Sequence, residues 1–213
     1  MNYIENIFLC LALPYVLTLF FVGKKGRFFL VLITTGMGIC LLSAYVSSFF
    51  MGYYGADAVT SAVEITPVCE EVMKLLPLLL WMLIFAPERE KIPVVALMIA
   101  LGFATFENVC YIVENGAENV TFLLMRGISA GAVHILCGLA EGGGLAYVFY
   151  RRWLAFMGTI AVLGACIVFH GIYNLLIISD GIWKNAGYLL PILLLLISYW
   201  VRRLVMGKKA YME

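Results

Sequence analysis

Seven apolar stretches dominate this chain, each close to the roughly 20 residues that a helix needs to cross a bilayer. They run near residues 4–22, 28–51, 66–86, 92–113, 121–149, 154–178 and 186–205. Strand-like alternation is absent from them, so helices are the way to satisfy the backbone in lipid. The sequence therefore predicts an all-α, polytopic membrane protein of about seven transmembrane helices. Hydrophobic residues make up 64% of the chain and charged residues 13%, which excludes a cytosolic globular domain and a disordered chain. A net charge of +1 offers no basic patch for a nucleic-acid partner. The connections are short, with no linker, repeat or second unit. Residues 1–213 thus read as one integral membrane domain whose first partner is the lipid bilayer.

The basic residues sort by side. Lys24, Lys25, Arg27, Arg89, Lys91, Arg151, Arg152, Arg202, Arg203, Lys208 and Lys209 fall in alternate connections or at and beyond the end of the last stretch. The opposite connections hold only Lys184 among bases, with the acids Asp57, Glu64, Glu114, Glu118 and Asp180. The positive-inside rule then places the N-terminus outside and the C-terminus in the cytoplasm of a cell (plasma or inner) membrane. The first stretch carries Glu5 and no preceding positive charge, unlike a signal peptide. Residues 52–65 suit an external interfacial segment, with Thr66 and Pro67 as N-cap and first residue of the third helix. Asn119-Val120-Thr121 matches a glycosylation acceptor, a pattern common by chance. The six cysteines, one per stretch from Cys10 to Cys166, read as small packing residues rather than a disulfide framework.

Ionisable groups inside the bilayer cost a few kcal/mol or more, on the order seen in insertion scales, so function is the default reading for them. They fall on four consecutive stretches. The third has Glu70, Glu71 and Lys74; the fourth Glu107, Asn108 and Tyr111; the fifth Arg126, His134 and Glu141; the sixth His170 and Asn174. Glu70 and Lys74 share a helix face, as do Glu107 and Tyr111, and His170 and Asn174. Each helix thus carries a polar stripe that should face the bundle interior. At 1.5 Å per residue the stripes can converge in the outer half of the membrane, with His134, roughly 20 Å down, the least comfortable member. A single such residue often only bonds a neighbouring helix, but five on adjacent helices argue for a site. Glu141, beside Gly142, Gly143 and Gly144, also suits a structural or hinge role. Lys74 and Arg126 suit charge partners of the acids.

Two chemistries fit these residues. Two histidines and a glutamate with an open fourth position form a catalytic zinc pattern, with a remaining glutamate as base. Without metal, one glutamate would activate water while His170 and Asn174 stabilise the oxyanion. Rival motifs are weaker. Gly127-Ile128-Ser129-Ala130-Gly131 matches a nucleophile elbow, but it lies in an apolar helix rather than a strand-to-helix turn. There Gly127 and Gly131, like Gly138 and Gly142, form a small-residue packing face. No HExxH occurs, and both aspartates, Asp57 and Asp180, lie outside the stretches. Cys69, Cys110, Cys137 and Cys166 lie near the polar residues and could be soft ligands, although packing accounts for them.

Glu70-Glu71-Val72-Met73-Lys74 and Gly102-Phe103-Ala104-Thr105-Phe106-Glu107-Asn108, leading to Tyr111, resemble motifs of the PrsW family of intramembrane proteases. Arg126 with His134, and His170-Gly171-Ile172-Tyr173-Asn174, complete that set over about residues 60–180. The resemblance implies an intramembrane endopeptidase that cuts a single-pass membrane regulator, of the anti-sigma-factor kind, near the extracytoplasmic side. A more distant likeness is to the CAAX-protease and bacteriocin-immunity superfamily. There a basic residue stands four after the second glutamate, whereas Lys74 stands three after. That superfamily's Phe-x-x-x-His has Cys110 in the histidine position here, which argues against a prenylated substrate. Carried over, the roles are Glu70, Glu71, His170 and Asn174 in catalysis. Glu107, His134 and His170 would hold a divalent metal, zinc by pattern. Lys74, Asn108, Tyr111 and Arg126 would support them. The competing expectations are a proton-coupled transporter and a non-catalytic scaffold or immunity protein. Against the transporter, the chain has no repeated half and no paired broken helices.

Overall fold

The computed structural model describes residues 4–116 and 119–210, with side chains through Leu204. Glu118 and the side chains of Lys208 and Lys209, used above for topology, lie outside the described residues. The described residues are helical, with no strand among them. The long helices are α1 (Ile4–Thr18), α2 (Lys24–Tyr54), α3 (Thr66–Phe85), α4 (Ile92–Asn115), α5 (Val120–Val148), α6 (Ala155–Ile178) and α7 (Ile182–Ala210). Their positions follow the seven apolar stretches. Five of them, α2 and α4 to α7, are long and apolar enough to cross a membrane. Of the other two, α1 has only 15 residues, and α3 carries Glu70, Glu71 and Lys74 in its first half.

The packing order closes a ring: α2 meets α3 and α4, α4 meets α5, α5 meets α6, and α6 returns to α3. α1 rests on α2, and α7 rests on α5 and α6. The outer surface is apolar: Phe21 is 90% exposed, Trp153 78% and Leu83 69%. That surface requires lipid, because water would penalise each such side chain by about 1.5–3 kcal/mol.

Glycines set the tightest contacts. A Cβ at Gly36 of α2 would stand 2.1 Å from the carbonyl oxygen of Ile99, and one at Gly102 of α4 would stand 2.0 Å from that of Ile33. The obstacle is backbone on both sides, so no side chain can swing away. Gly138 and Gly142 bring α5 somewhat less close to α4, where added Cβ atoms would stand 2.7 Å from Ala100 Cβ and 2.6 Å from Pro93 Cα. Gly131 has open space where its Cβ would be, and Gly127 faces only the Asn108 side chain. The small-residue packing face therefore holds for the second pair and not for Gly131. We expect Gly102→Ala to cost about 1–3 kcal/mol or more by forcing α2 and α4 apart. Gly131→Ala should be neutral. Thermal unfolding of the two variants in one detergent checks this.

The approach to α3 differs from expectation. α2 ends at Gly55, whose φ of 60° provides the left-handed cap. A new helix then starts at Ala58, capped by Asp57, whose Oδ1 accepts from the Thr60 N–H at 2.7 Å. Those backbone donors hold the exposed Asp57 carboxyl below its ordinary value. The chain continues through a π turn, Ser61–Ile65, directly into α3, so Thr66 is no N-cap. Pro67 explains the turn. It has no N–H to give, and the Thr66 N–H bonds Ser61 O. The Ala62 carbonyl is thereby released, and Asn174 Nδ2 of α6 donates to it at 2.8 Å. Gly171 lets α6 come this close, since a Cβ there would meet Val63 O at 2.8 Å. A π turn beside polar interior residues is a recurring mark of functional sites.

Candidate active site

α3, α4, α5 and α6 deliver their polar stripes to one interior region. The first turns of α3 carry the acids. Glu71 is fully buried and forms an ion pair through Oε2 with Lys74 Nζ at 2.7 Å. Helical spacing would let Lys74 reach either acid, but the partner is Glu71 at i+3 rather than Glu70 at i+4. Glu71 Oε1 meets His170 Nδ1 at 2.6 Å. A carboxylate there fixes the proton on Nδ1 and leaves the Nε2 lone pair free, the usual orientation of a ligating histidine. His170 Nε2 faces Glu70 Oε2 at 3.8 Å.

His134 of α5 is held from both sides. Lys74 Nζ donates to its Nδ1 at 3.1 Å. An ammonium can only donate, so the ring proton sits on Nε2 and is shared with Glu107 Oε2 at 2.5 Å. Glu107 Oε1 pairs with the Arg126 guanidinium at 2.7 Å. Arg126 also donates to Asn108 Oδ1 at 2.9 Å and lies 4.3 Å from the Tyr111 ring centroid. Asn108 in turn donates to Gly127 O at 3.2 Å, tying α4 to α5. One continuous chain of contacts thus runs from Asn108 through Arg126, Glu107, His134, Lys74 and Glu71 to His170.

Potential ligand atoms converge, with both nitrogens of His134 engaged by Lys74 and Glu107. Single ligand atoms of Glu70, His134 and His170 lie within 4.8 Å of one another. Glu70 Oε2 is buried and has no hydrogen-bond partner among the described residues, an arrangement that is costly unless a cation or donor completes it. Two imidazoles and one carboxylate, with an unpartnered oxygen among them, fit a divalent metal. Of the residues singled out from sequence, Glu70, Glu107, Tyr111, Arg126, His134, His170 and Asn174 line one cavity of about 600 Å³. Glu71 and Lys74 lie behind it. Glu141 is buried with Oε1 unpartnered among the described residues.

Several other residues are resolved by the same geometry. Ser129 is fully buried in α5, sharing a hydrogen bond with Tyr173 OH at 2.9 Å and bonding Arg126 O at 3.1 Å, so no nucleophile elbow forms. Asn119 is the N-cap of α5 and accepts from the Phe122 N–H at 3.0 Å. The six cysteines are free thiols. Cys137 and Cys166 point at each other's backbone carbonyls across α5 and α6, as packing residues do. Tyr173, Lys184 and Tyr188 also line the cavity, and sequence spacing marked none of the three as a site residue. Tyr173 was detectable, three residues from His170 on the same helix face, and Lys184 was the single base of the opposite connections.

The site is thus a Glu/His/His cluster, with both imidazoles buried, at the wall of a cavity of about 600 Å³ within an apolar helical bundle, a membrane-embedded arrangement able to take a divalent metal. Searches of curated proteins and of solved structures give no match. The family model of the PrsW family intramembrane metalloproteases matches residues 16–201. The chain belongs to that family and is therefore an intramembrane metalloprotease, a hydrolase of the membrane.

Proposed function

We propose that this protein hydrolyses a peptide bond of a single-pass membrane regulator, of the anti-sigma-factor type, in the extracytoplasmic half of the plasma membrane. The carrying observation is the convergence of Glu70, His134 and His170 within 4.8 Å at the wall of a cavity of about 600 Å³. Such a volume suits a short unwound peptide segment, being within the roughly 300–1,000 Å³ of ordinary ligand sites. In this reading all seven helices cross the bilayer within a single domain, with the N-terminus outside, as the positions of the basic residues support.

Glu70, His134 and His170 are the residues that would hold a zinc ion. When bound, such an ion supplies Lewis acidity to a carbonyl and to water. Lys74 holds Glu71 through their ion pair. Glu107 would be the base: its Oε2, which shares the His134 Nε2 proton, would accept a proton from the attacking water and return it to the leaving amine. Arg126 keeps Glu107 oriented and charged. Asn174 uses one N–H on Ala62 O and has a second for the developing oxyanion. Glu71 orients His170, and Tyr111 and Asn108 position Arg126.

The test is co-expression with a tagged single-pass membrane substrate, with cleavage mapped by mass spectrometry. Cleavage in the outer half, lost on chelation and restored by zinc, is the expected result. Cleavage that survives exhaustive chelation with no bound metal overturns the metal assignment. No cleavage of any single-pass substrate tested, with flux of a solute through liposomes instead, overturns the peptidase reading.

A further inference from the structure

A second cavity, of about 210 Å³, reaches the same acids from the other side. It lies between α2 and α4, under the start of α1, and its walls include Cys40, Ser43, Ala44, Cys110 and Glu114. Glu70, Glu107, Tyr111 and Arg126 line both this cavity and the larger one. These four side chains are therefore a partition between two spaces. The larger space, bounded by α5, α6 and α7, is wide enough for a peptide. The smaller is not, but at about 30 Å³ per water it holds several. Glu114 and Ala44 are exposed at its rim, and Cys110 is half-buried along its wall.

Hydrolysis in a bilayer poses a supply problem. A peptide that fills the larger cavity displaces the water there, and lipid closes the other approaches. The nucleophile then has to come from a side the substrate does not cover. We propose that the cavity between α2 and α4 is a water passage that feeds Glu70 and Glu107 while the larger cavity is occupied. Its walls suit that role: Glu114 at the rim and the carboxylates at the inner end are strong acceptors, and Cβ-only Ala44 leaves the rim open. This proposal rests on the peptidase function proposed above.

Native thiols make it testable. Membranes containing the protein are treated with a charged, water-soluble methanethiosulfonate, and labelled cysteines are mapped by mass spectrometry. Cys110 should react at least about tenfold faster than Cys10, an exposed cysteine on the lipid-facing α1, because only a hydrated thiol is reached. Ala44→Trp, at an exposed position outside the reacting groups, should plug the passage. The expected result is a fall of about tenfold in both Cys110 labelling and kcat, with KM and metal content unchanged. Ala44→Ser should leave both rates alone. Cys110 that labels no faster than Cys10 overturns the passage. So does Ala44→Trp that blocks labelling and leaves kcat intact. Labelling needs no hydrolysis, so a wild-type protein that labels at Cys110 yet cleaves nothing overturns the peptidase reading and retains the hydrated passage.

Discussion

His170→Ala should abolish both metal retention and cleavage, while Glu107→Gln keeps the metal and loses about 10²- to 10⁴-fold in kcat. The contrast follows from where each side chain stands. His170 Nε2 is an open donor aimed at Glu70, its other nitrogen already committed to Glu71. Removing the ring deletes one of three converging donors and leaves Glu71 with only Lys74. Glu107 is engaged through both oxygens, with His134 and with Arg126. Glutamine keeps the shape and one acceptor but cannot take up a proton. Elemental analysis of the purified variants beside single-turnover cleavage separates the two effects. Loss of metal from Glu107→Gln, with metal kept in Glu70→Gln, would exchange the roles of these two acids. Normal cleavage by Glu70→Ala, Glu71→Ala and His170→Ala alike would sink the proteolytic assignment.

Lys74→Met carries the largest expected stability loss, about 3–5 kcal/mol. Lys74 is 3% exposed, and its partner Glu71 is fully buried. Removing the ammonium leaves a buried carboxylate in the bundle interior with His170 Nδ1 as its one remaining donor among the described residues. The double variant Glu71→Leu with Lys74→Met should recover most of that loss, since apolar residues of similar volume replace a buried pair without penalty. It should not recover activity, because His170 then lacks the acceptor that holds its proton on Nδ1. Unfolding in detergent gives the first quantity and cleavage of a membrane substrate the second. Equal stability of the single and double variants would show that Glu71 finds another partner.

The helices were legible because length and apolarity alone decide them in lipid: the seven stretches became α1 to α7 in order. The grouping of Glu70, Glu71, Lys74, Glu107, Arg126, His134 and His170 was legible for a related reason, since each is expensive on a lipid-facing surface. Which of them touch was not. Positions i+3 and i+4 share a helix face, so sequence spacing could not choose between Glu70 and Glu71 as the partner of Lys74. Burial chose. The approach to α3 was misread because Thr-Pro is the signature both of a helix start and of a proline relieved by a π turn. The difference lies in Asn174, more than 100 residues away, whose amide takes the released carbonyl. The cavity lined by Cys110 and Ala44 was not legible as a cavity, because small residues there look the same as packing residues anywhere else, and Cys110 stood out only by its nearness to Glu107.

The two unpartnered carboxylate oxygens, on Glu70 and Glu141, have a consequence in electroneutrality. Among the described residues the interior cluster holds four carboxylates, Glu70, Glu71, Glu107 and Glu141, against two permanent cations, Lys74 and Arg126. A low-dielectric interior tolerates little net charge, because the idealised cost of transferring one ion is of order 20 kcal/mol. The two acids in excess can be balanced by two protons or by one divalent ion. Uptake of such an ion would therefore displace protons from the bundle, and metal retention should weaken as the pH falls.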